Sequence, residues 1–397
     1  MTESDESPDP RTEVLILGAG FGGLEVAAYL AATVAHCVRI TLIDKNDAFV
    51  FGFSKLDLLF GRKAIDDVRL SYSHVRMPSV EFRQETITAI DPMTRRVTTD
   101  GGSYAPDILV VALGADYEPT ATPGFVEDGF EFYSVAGAQR LAQRLETFTG
   151  GDLVIAILGV PFKCPPAPYE AAFLLHDYLV ERGVRDATNI ELITPMGSPI
   201  PVSPTASAAI IEGLNERGIR YTPDHRVRSL DPSVHVAQLK DETRSYDLFV
   251  GIPVHRVPDV VKASGLTEGG ADGWVAVDRA TLATPFPGIY ALGDCADAPV
   301  PRAGVFAESA ARVVAQHIVA TLDRPGAVAP YEGTGRCYLE FGDGRVGMVD
   351  ANFLGGPSPS APFLGPSTEY AEQKAGWAAS RRARWFAGSV RVRGGFR

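Results

Sequence analysis

Gly18-Ala19-Gly20-Phe21-Gly22-Gly23 follows a short apolar run (EVLIL, from Glu13) and precedes a helix-like stretch, LEVAAYLAATV. The pattern is G-x-G-x-x-G, carried by Gly18, Gly20 and Gly23. Glycines at this spacing permit a tight turn and let a pyrophosphate approach the backbone at a helix N-terminus. A second apolar run, VRITLI, ends in Asp44, 21 residues after Gly23. An acid there accepts hydrogen bonds from an adenosine ribose. Phe21 and Lys45 flank these groups and are candidate contacts. The segment is predicted to bind a dinucleotide; a glycine-rich turn in an unrelated α/β protein is the alternative.

The second candidate is a cysteine in a proline-rich turn. Asp152 to Leu158 (DLVIAIL) reads as a buried parallel strand, and Gly159 opens the segment V-P-F-K-C-P-P-A-P-Y-E, which ends at Glu170. A nicotinamide site would repeat the glycine pattern here. Prolines and Phe162 stand there instead, and proline has no N–H to close on a pyrophosphate. The partner run IELIT ends in Thr194-Pro195, without an acid for a ribose. This half of the chain is predicted to keep a Rossmann-like fold and to have lost NAD(P)H binding; binding through other contacts is the alternative. Cys164 falls at the carboxyl end of a parallel strand, where such sheets present side chains to a cleft. Glu170 falls in the first turn of a helix starting near Pro168. It is either an acid/base group beside the cleft or an acid that stabilises the helix N-terminus.

The elements that must position these groups belong to a chain of 397 residues, enough for two to three domains at roughly 150 residues each. Apolar residues are 45% and charged residues 22%. That composition excludes collagen, wholesale disorder and a disulfide-dense miniprotein. A net charge of −12 argues against a nucleic-acid partner. Cys37, Cys164, Cys295 and Cys337 are too few for a framework and too scattered for a zinc site. Cys37 and Cys295 read as buried packing, and His255 as a structural histidine. Met1 to Pro10 is acidic and polar, a disordered tail and not a signal peptide. No window holds 18 apolar residues, so no spanning helix is predicted, and the expected compartment is the cytoplasm.

Two further strand ends select the cofactor. DILVVALGA (Asp107 to Ala115) closes on Ala112 and Gly114, and PGIYALGDCAD (from Pro287) closes on Gly293-Asp294. Ala303-Gly304 then opens a helix, VFAESAARVVAQHIVATL. With the N-terminal glycines, these motifs resemble the flavoproteins that have two dinucleotide-binding domains. The resemblance implies FAD, with Asp294 on the ribityl chain and the helix after Gly304 aiming its positive end at the flavin N1–C2=O region. C-P-P-A-P-Y-E, together with the His255-Arg256-Val257-Pro258 turn, resembles the sulfide:quinone oxidoreductase and flavocytochrome c sulfide dehydrogenase family over nearly the whole chain.

That resemblance implies an α/β fold of two Rossmann-like domains, the FAD domain discontinuous, plus a small C-terminal α+β domain. The expected division is an FAD domain at 11–116 and 275–330, a degenerate NAD(P)-like domain at 117–274, and a C-terminal domain at 331–397. It implies a redox-active Cys164–Cys337 disulfide that sulfide, or a small persulfide or thiol, attacks to give a persulfide and a thiolate. Cys337 would face the flavin, Glu170 would be the acid/base group, and electrons would pass through FAD to a quinone. The chain departs from the family in several places, among them Gly197-Ser198-Pro199-Ile200-Pro201, which lacks a histidine often found after the second Rossmann strand. Tyr117 to Ala138 lacks the third cysteine and its histidine. Phe49-Val50-Phe51-Gly52-Phe53 stands where the flavocytochrome branch attaches FAD, so FAD is expected to be non-covalent.

From Pro366 onward, Lys374, Arg381, Arg382, Arg384, Arg391, Arg393 and Arg397 face only Glu369 and Glu372, a net +5 against −17 for the rest. Tyr370, Trp377, Trp385 and Phe386 are interleaved with them. Aromatics with arginine suit a membrane interface; packing on the domain core or on a second subunit is the alternative, which leaves a homodimer open. Two other functions stay in play: an NAD(P)H:quinone-type flavin reductase and a flavin-binding redox sensor.

Overall fold

The computed structural model describes residues 11–323 and 326–386. The tail at 1–10 and Arg391, Arg393 and Arg397 lie outside the described residues.

The first sheet is parallel and five-stranded. Its order is Ile289–Ala291, Ile108–Val111, Thr12–Leu17, Val38–Asp44, Val80–Gln84. Its central strands are continuous apolar runs because both faces are covered: Val14 to Leu17 and Ile108 to Val111 are buried. The helix Phe21–Thr33 leaves the first strand, and the helix Gly304–Leu322 packs along it. Both helices begin at the carboxyl edge of the sheet, where ligand crevices form. The strand at Ile289–Ala291 joins this sheet from far along the sequence.

The second sheet is parallel and four-stranded, in the order Ile219–Thr222, Thr188–Ile193, Gly151–Ile157, Leu248–Ile252. The helix Ala167–Glu181 follows its first strand, and ten of its residues from Ala167 to Leu179 are buried. A third sheet is antiparallel and takes Thr334–Gly342, Arg345–Asn352 and Phe363–Ser367. It packs on the helix Ala167–Glu181, with the Phe341 ring stacked on Phe173 at 5.0 Å. The fold is the α/β class expected, with two parallel Rossmann-type sheets.

The C-terminal helix Thr368–Phe386 turns back onto the first sheet's helices. Glu25 is fully buried there, and its carboxylate accepts from Arg312 Nε (3.0 Å), Arg384 Nε (2.7 Å) and Trp385 Nε1 (3.0 Å). Glu308 in turn accepts from Arg381 Nε (3.0 Å) and from Arg312. Trp385 is fully buried, and Trp377 stacks on Phe21. These described residues take the core packing that was the alternative to a membrane interface. Arg381, Arg384, Trp377, Trp385 and Phe386 pack on the domain core, because two buried carboxylates need cationic partners and the aromatic rings complete an apolar cluster. No helix among the described residues is long and apolar enough to cross a membrane.

Candidate active site

A cavity of about 460 Å³ runs from the first glycine turn to Cys164 and Glu170, within the range of roughly 300–1,000 Å³ found for small-molecule sites. Its walls bring together Gly20, Phe21, Asp44, Ala112, Gly114, Gly293, Asp294, Ala303 and Gly304. All nine come from strand ends and helix starts at one sheet edge.

The glycines divide into two roles. Gly18 has φ +95°, and a Cβ there would lie 2.4 Å from the Ala112 carbonyl oxygen; one on Gly23 would lie 1.8 Å from the Gly18 oxygen. These two shape the turn and do not line the cavity. Gly20 has nothing within 4 Å of its Cβ direction, so its missing side chain leaves the backbone open to a ligand. Asp44 Oδ2 accepts from the Ala19 N–H at 2.8 Å, and Oδ1 accepts from both nitrogens of Asn46. Its carboxylate has acceptor capacity left and faces the cavity. Lys45, expected as a contact, is exposed and outside the lining. It follows the strand end, so its side chain leaves on the side away from Asp44; Asn46 lines the cavity instead.

Two partly buried cations stand at the other end. Lys55 Nζ donates to the Tyr133 carbonyl at 2.6 Å, and Lys163 Nζ donates to the Ala115 carbonyl at 2.9 Å while lying 4.3 Å from the Tyr117 ring centre. Burial, aided by Lys163, brings the Lys55 pKa down to about 8. Burial raises the Asp294 pKa, opposed by Lys163, Arg302 and Lys55. The cavity suits FAD: an open glycine turn for a pyrophosphate, acids at both strand ends for ribose and ribityl hydroxyls, and apolar walls from Phe49, Val50 and Phe53.

Cys164 lines this cavity in a left-handed conformation, φ +53°. A residue with a Cβ holds that conformation at a cost of about 1–3 kcal/mol, and only where its surroundings fix it. Here its N–H donates to the Arg302 carbonyl at 2.6 Å, and its carbonyl accepts from the Ala167 N–H at 2.9 Å. Cys337 lies on the strand Thr334–Gly342 and packs in the same apolar cluster, within electrostatic reach of Cys164. All four cysteines are free thiols in this structure. Burial drives the Cys164 pKa well above the ordinary value and pushes that of Cys337 up to about 12, Glu170 adding to both. The sequence expectation set Cys337 at the cofactor; the structure lines the cavity with Cys164. The proline-flanked turn opens onto the sheet edge, whereas the Cys337 strand is pressed behind the helix Ala167–Glu181.

Glu170 is buried in the first turn of that helix and lines the cavity. Burial lifts its pKa to about 7, Lys374 opposing. Its Oε1 accepts from the Glu340 N–H at 3.0 Å. The Glu340 carboxylate is held by Lys374 Nζ (2.5 Å) and Arg62 Nη1 (2.6 Å). Burial opposes its ionisation, but these cations outweigh burial and bring its pKa down to about 2. A second cavity of about 550 Å³ opens beside this network, with Phe53 in the walls of both.

A profile of the family described as pyridine nucleotide-disulphide oxidoreductase matches residues 12–321. The chain belongs to the pyridine nucleotide-disulphide oxidoreductase family. It is an FAD-binding oxidoreductase. Over 368 residues it is 24% identical to the mitochondrial sulfide:quinone oxidoreductase of Mus musculus, covering 88% of this chain and 80% of that protein. It is also 24% identical over 365 residues to a type II NADH:quinone oxidoreductase of Staphylococcus aureus, covering 85% and 90%. Among solved structures, it is similar to the sulfide:quinone oxidoreductase of Aquifex aeolicus, with TM-score 0.84, 22% identity and coverage of 95% and 93%. NDH2 from Plasmodium falciparum in complex with NADH gives 0.72, 13%, 95% and 97%.

The other two cysteines and His255 fall as follows. Cys295 is buried, its thiol near the Val111 and Leu292 carbonyls, and Cys37 packs under the first sheet. His255 is buried against Tyr117 and Tyr133, and burial brings its pKa down to about 3. Sequence reasoning missed Lys55, Lys163, Tyr133, Arg62 and Glu340. Only Lys163 carried a signal, its adjacency to Cys164; the others reach the site through tertiary packing.

Proposed function

We propose that this flavoprotein oxidises sulfide, or a small persulfide or thiol, through a Cys164–Cys337 disulfide and passes the electrons to a quinone. The observation that carries the reading is Cys164 in the wall of the FAD cavity, with Cys337 and Glu170 beside it. Hydrosulfide adds to Cys337 Sγ, the S–S bond breaks, and its electron pair stays on Cys164 Sγ. The products are a Cys337 persulfide and a Cys164 thiolate. Exchange of this kind needs an attacking anion and a stabilised leaving sulfur. Bound FAD supplies a two-electron sink next to Cys164. Gly20 and Asp44 hold its adenosine end, and Asp294 and the helix at Gly304 hold its flavin end. The link is non-covalent, since Phe49, Val50, Gly52 and Phe53 present no thiol to it. Relatives on both sides of the family carry quinone in their names, which supports a quinone acceptor. The cavity shared through Phe53 offers a place for it.

Glu170 removes the proton from the sulfur species bound at Cys337. It must be ionised to do so, so the limiting rate of flavin reduction at saturating sulfide should rise with pH through about 7. Glu170→Gln is expected to remove that limb and slow the step about 10²- to 10⁴-fold. A pH profile unchanged in the variant would remove Glu170 from the role.

NADH-dependent reduction is the second reading, favoured by the likeness to type II NADH:quinone oxidoreductases. Against it stands the turn after Gly159, where Pro161, Pro165 and Pro166 offer no N–H to a pyrophosphate. Anaerobic titration of the yellow protein separates the two. Stoichiometric bleaching by sulfide and none by NADH is expected; rapid bleaching by NADH with no response to sulfide would reverse the assignment.

A further inference from the structure

The structure points to a further catalytic residue. Tyr133 is buried, its ring lines the cavity with Cys164 and Glu170, and its hydroxyl makes no hydrogen bond among the described residues. A buried hydroxyl without a partner is costly, and its placement calls for an explanation. The rest of the residue is tightly held. Its carbonyl accepts from Lys55 Nζ (2.6 Å) and Tyr117 Oη (2.9 Å), and its N–H donates to Glu131. Ser134, the next residue, caps the following helix. The ring packs between Tyr117, Phe132 and His255. The backbone and ring are thus fixed while the one polar atom is left open.

We infer that the Tyr133 hydroxyl donates a hydrogen bond to the sulfur anion that forms at Cys164 when the disulfide opens. With the Lys55 ammonium it makes a receiving site for a thiolate or a small anionic sulfur compound. The inference rests on the disulfide reading above. In the step already written, the S–S electron pair is left on Cys164 Sγ, so one negative charge appears there and nothing else is consumed. The groups facing Cys164 are Glu170 from its helix, Cys337 from the antiparallel sheet, Lys374 from the C-terminal helix, and Tyr133 and Lys55 across the cavity. Glu170 and a charged Cys337 oppose a thiolate; a donor is needed to offset them. A phenol kept protonated by burial serves that need. A donor fixed before the charge develops costs no reorganisation when it forms.

Tyr133→Phe deletes only the hydroxyl and breaks no hydrogen bond within the described protein, so the holoprotein should fold and stay yellow. The reduced holoprotein is alkylated with iodoacetamide across a range of pH, and modification at Cys164 and at Cys337 is read by peptide mass. In Tyr133→Phe the Cys164 profile is expected to move up by about one unit, a tenfold slower alkylation below both midpoints. Tyr169→Phe removes another buried hydroxyl nearby and should leave the profile in place. An unmoved Cys164 profile in Tyr133→Phe overturns the inference. So does an equal shift in Tyr169→Phe, or a changed flavin absorption band with an unmoved profile, which would give the hydroxyl to the cofactor. If sulfide fails to bleach the unaltered protein, the sulfur-oxidation reading falls while the alkylation profile still decides the Tyr133–Cys164 contact.

Discussion

Cys164→Ser should leave a yellow, folded protein whose flavin is no longer reduced by sulfide, with the rate falling by at least about 10³-fold. FAD retention is expected because the adenosine end of the cavity, at Gly20 and Asp44, is remote from the thiol and untouched. The loss is expected to be this large because serine forms no disulfide, so hydrosulfide meets no bond it can break. The same substitution at Cys337 should be equally severe, since the pair acts as one unit. Stopped-flow absorbance after mixing with anaerobic sulfide measures both. Reduction at an undiminished rate in Cys164→Ser would mean that sulfide reacts with the flavin directly, and the pair would lose its role.

Glu25→Ala should cost about 3 kcal/mol, the loss of charge-assisted hydrogen bonds from two partly exposed arginines and a buried indole. Glu25 is fully buried and joins three groups from two distant helices: Arg312, Arg384 and Trp385. Removing it leaves Arg384 and the indole N–H without their carboxylate acceptor and Arg312 with Glu308 alone, and the C-terminal helix loses one hold on the helix Phe21–Thr33. The expected readouts are faster limited proteolysis within residues 368–386 and a red-shifted tryptophan emission at lower denaturant. Burial raises the Glu25 pKa, but Arg384 and Arg312 outweigh it and the net shift is downward. Its stabilisation is therefore complete above the ordinary carboxylate pKa and is lost as pH falls through the depressed folded value. Acid should release the helix in the unaltered protein and have little further effect on the variant. Identical proteolysis in the two proteins would show that the aromatic packing, with the Arg381–Glu308 and Lys374–Glu340 pairs, holds the helix without Glu25.

The two substitutions mark the boundary between what sequence and structure each decided. Local patterns were sufficient wherever a signal is short-range. Gly18, Gly20 and Gly23 between an apolar run and a helix, Asp44 at the next strand end, and Gly293-Asp294 after PGIYAL each follow from backbone constraints within a few residues. The proline-filled turn at Cys164 is local in the same way, since the absence of N–H groups is a property of the residue type. The sequence also divided the glycines less finely than the fold does: Gly18 and Gly23 pack against backbone oxygens, and only Gly20 faces open space.

What crosses the chain was decided by tertiary packing. Cys164 and Cys337 are 173 residues apart, and only the antiparallel sheet pressed on the helix Ala167–Glu181 brings them together. Which sulfur lines the cavity depends on that packing, not on spacing. The basic, aromatic C-terminal segment has a composition that suits lipid and core equally. Among the described residues, two buried acids, Glu25 and Glu308, draw Arg384 and Arg381 inward. Tyr133, Lys55 and Glu340 belong to no motif and act through where their polar atoms end up. Periodicity and turn chemistry are written in neighbouring residues; the pairing of buried charges, and of donors with sulfur, is set by contacts that form only when distant segments close on one another.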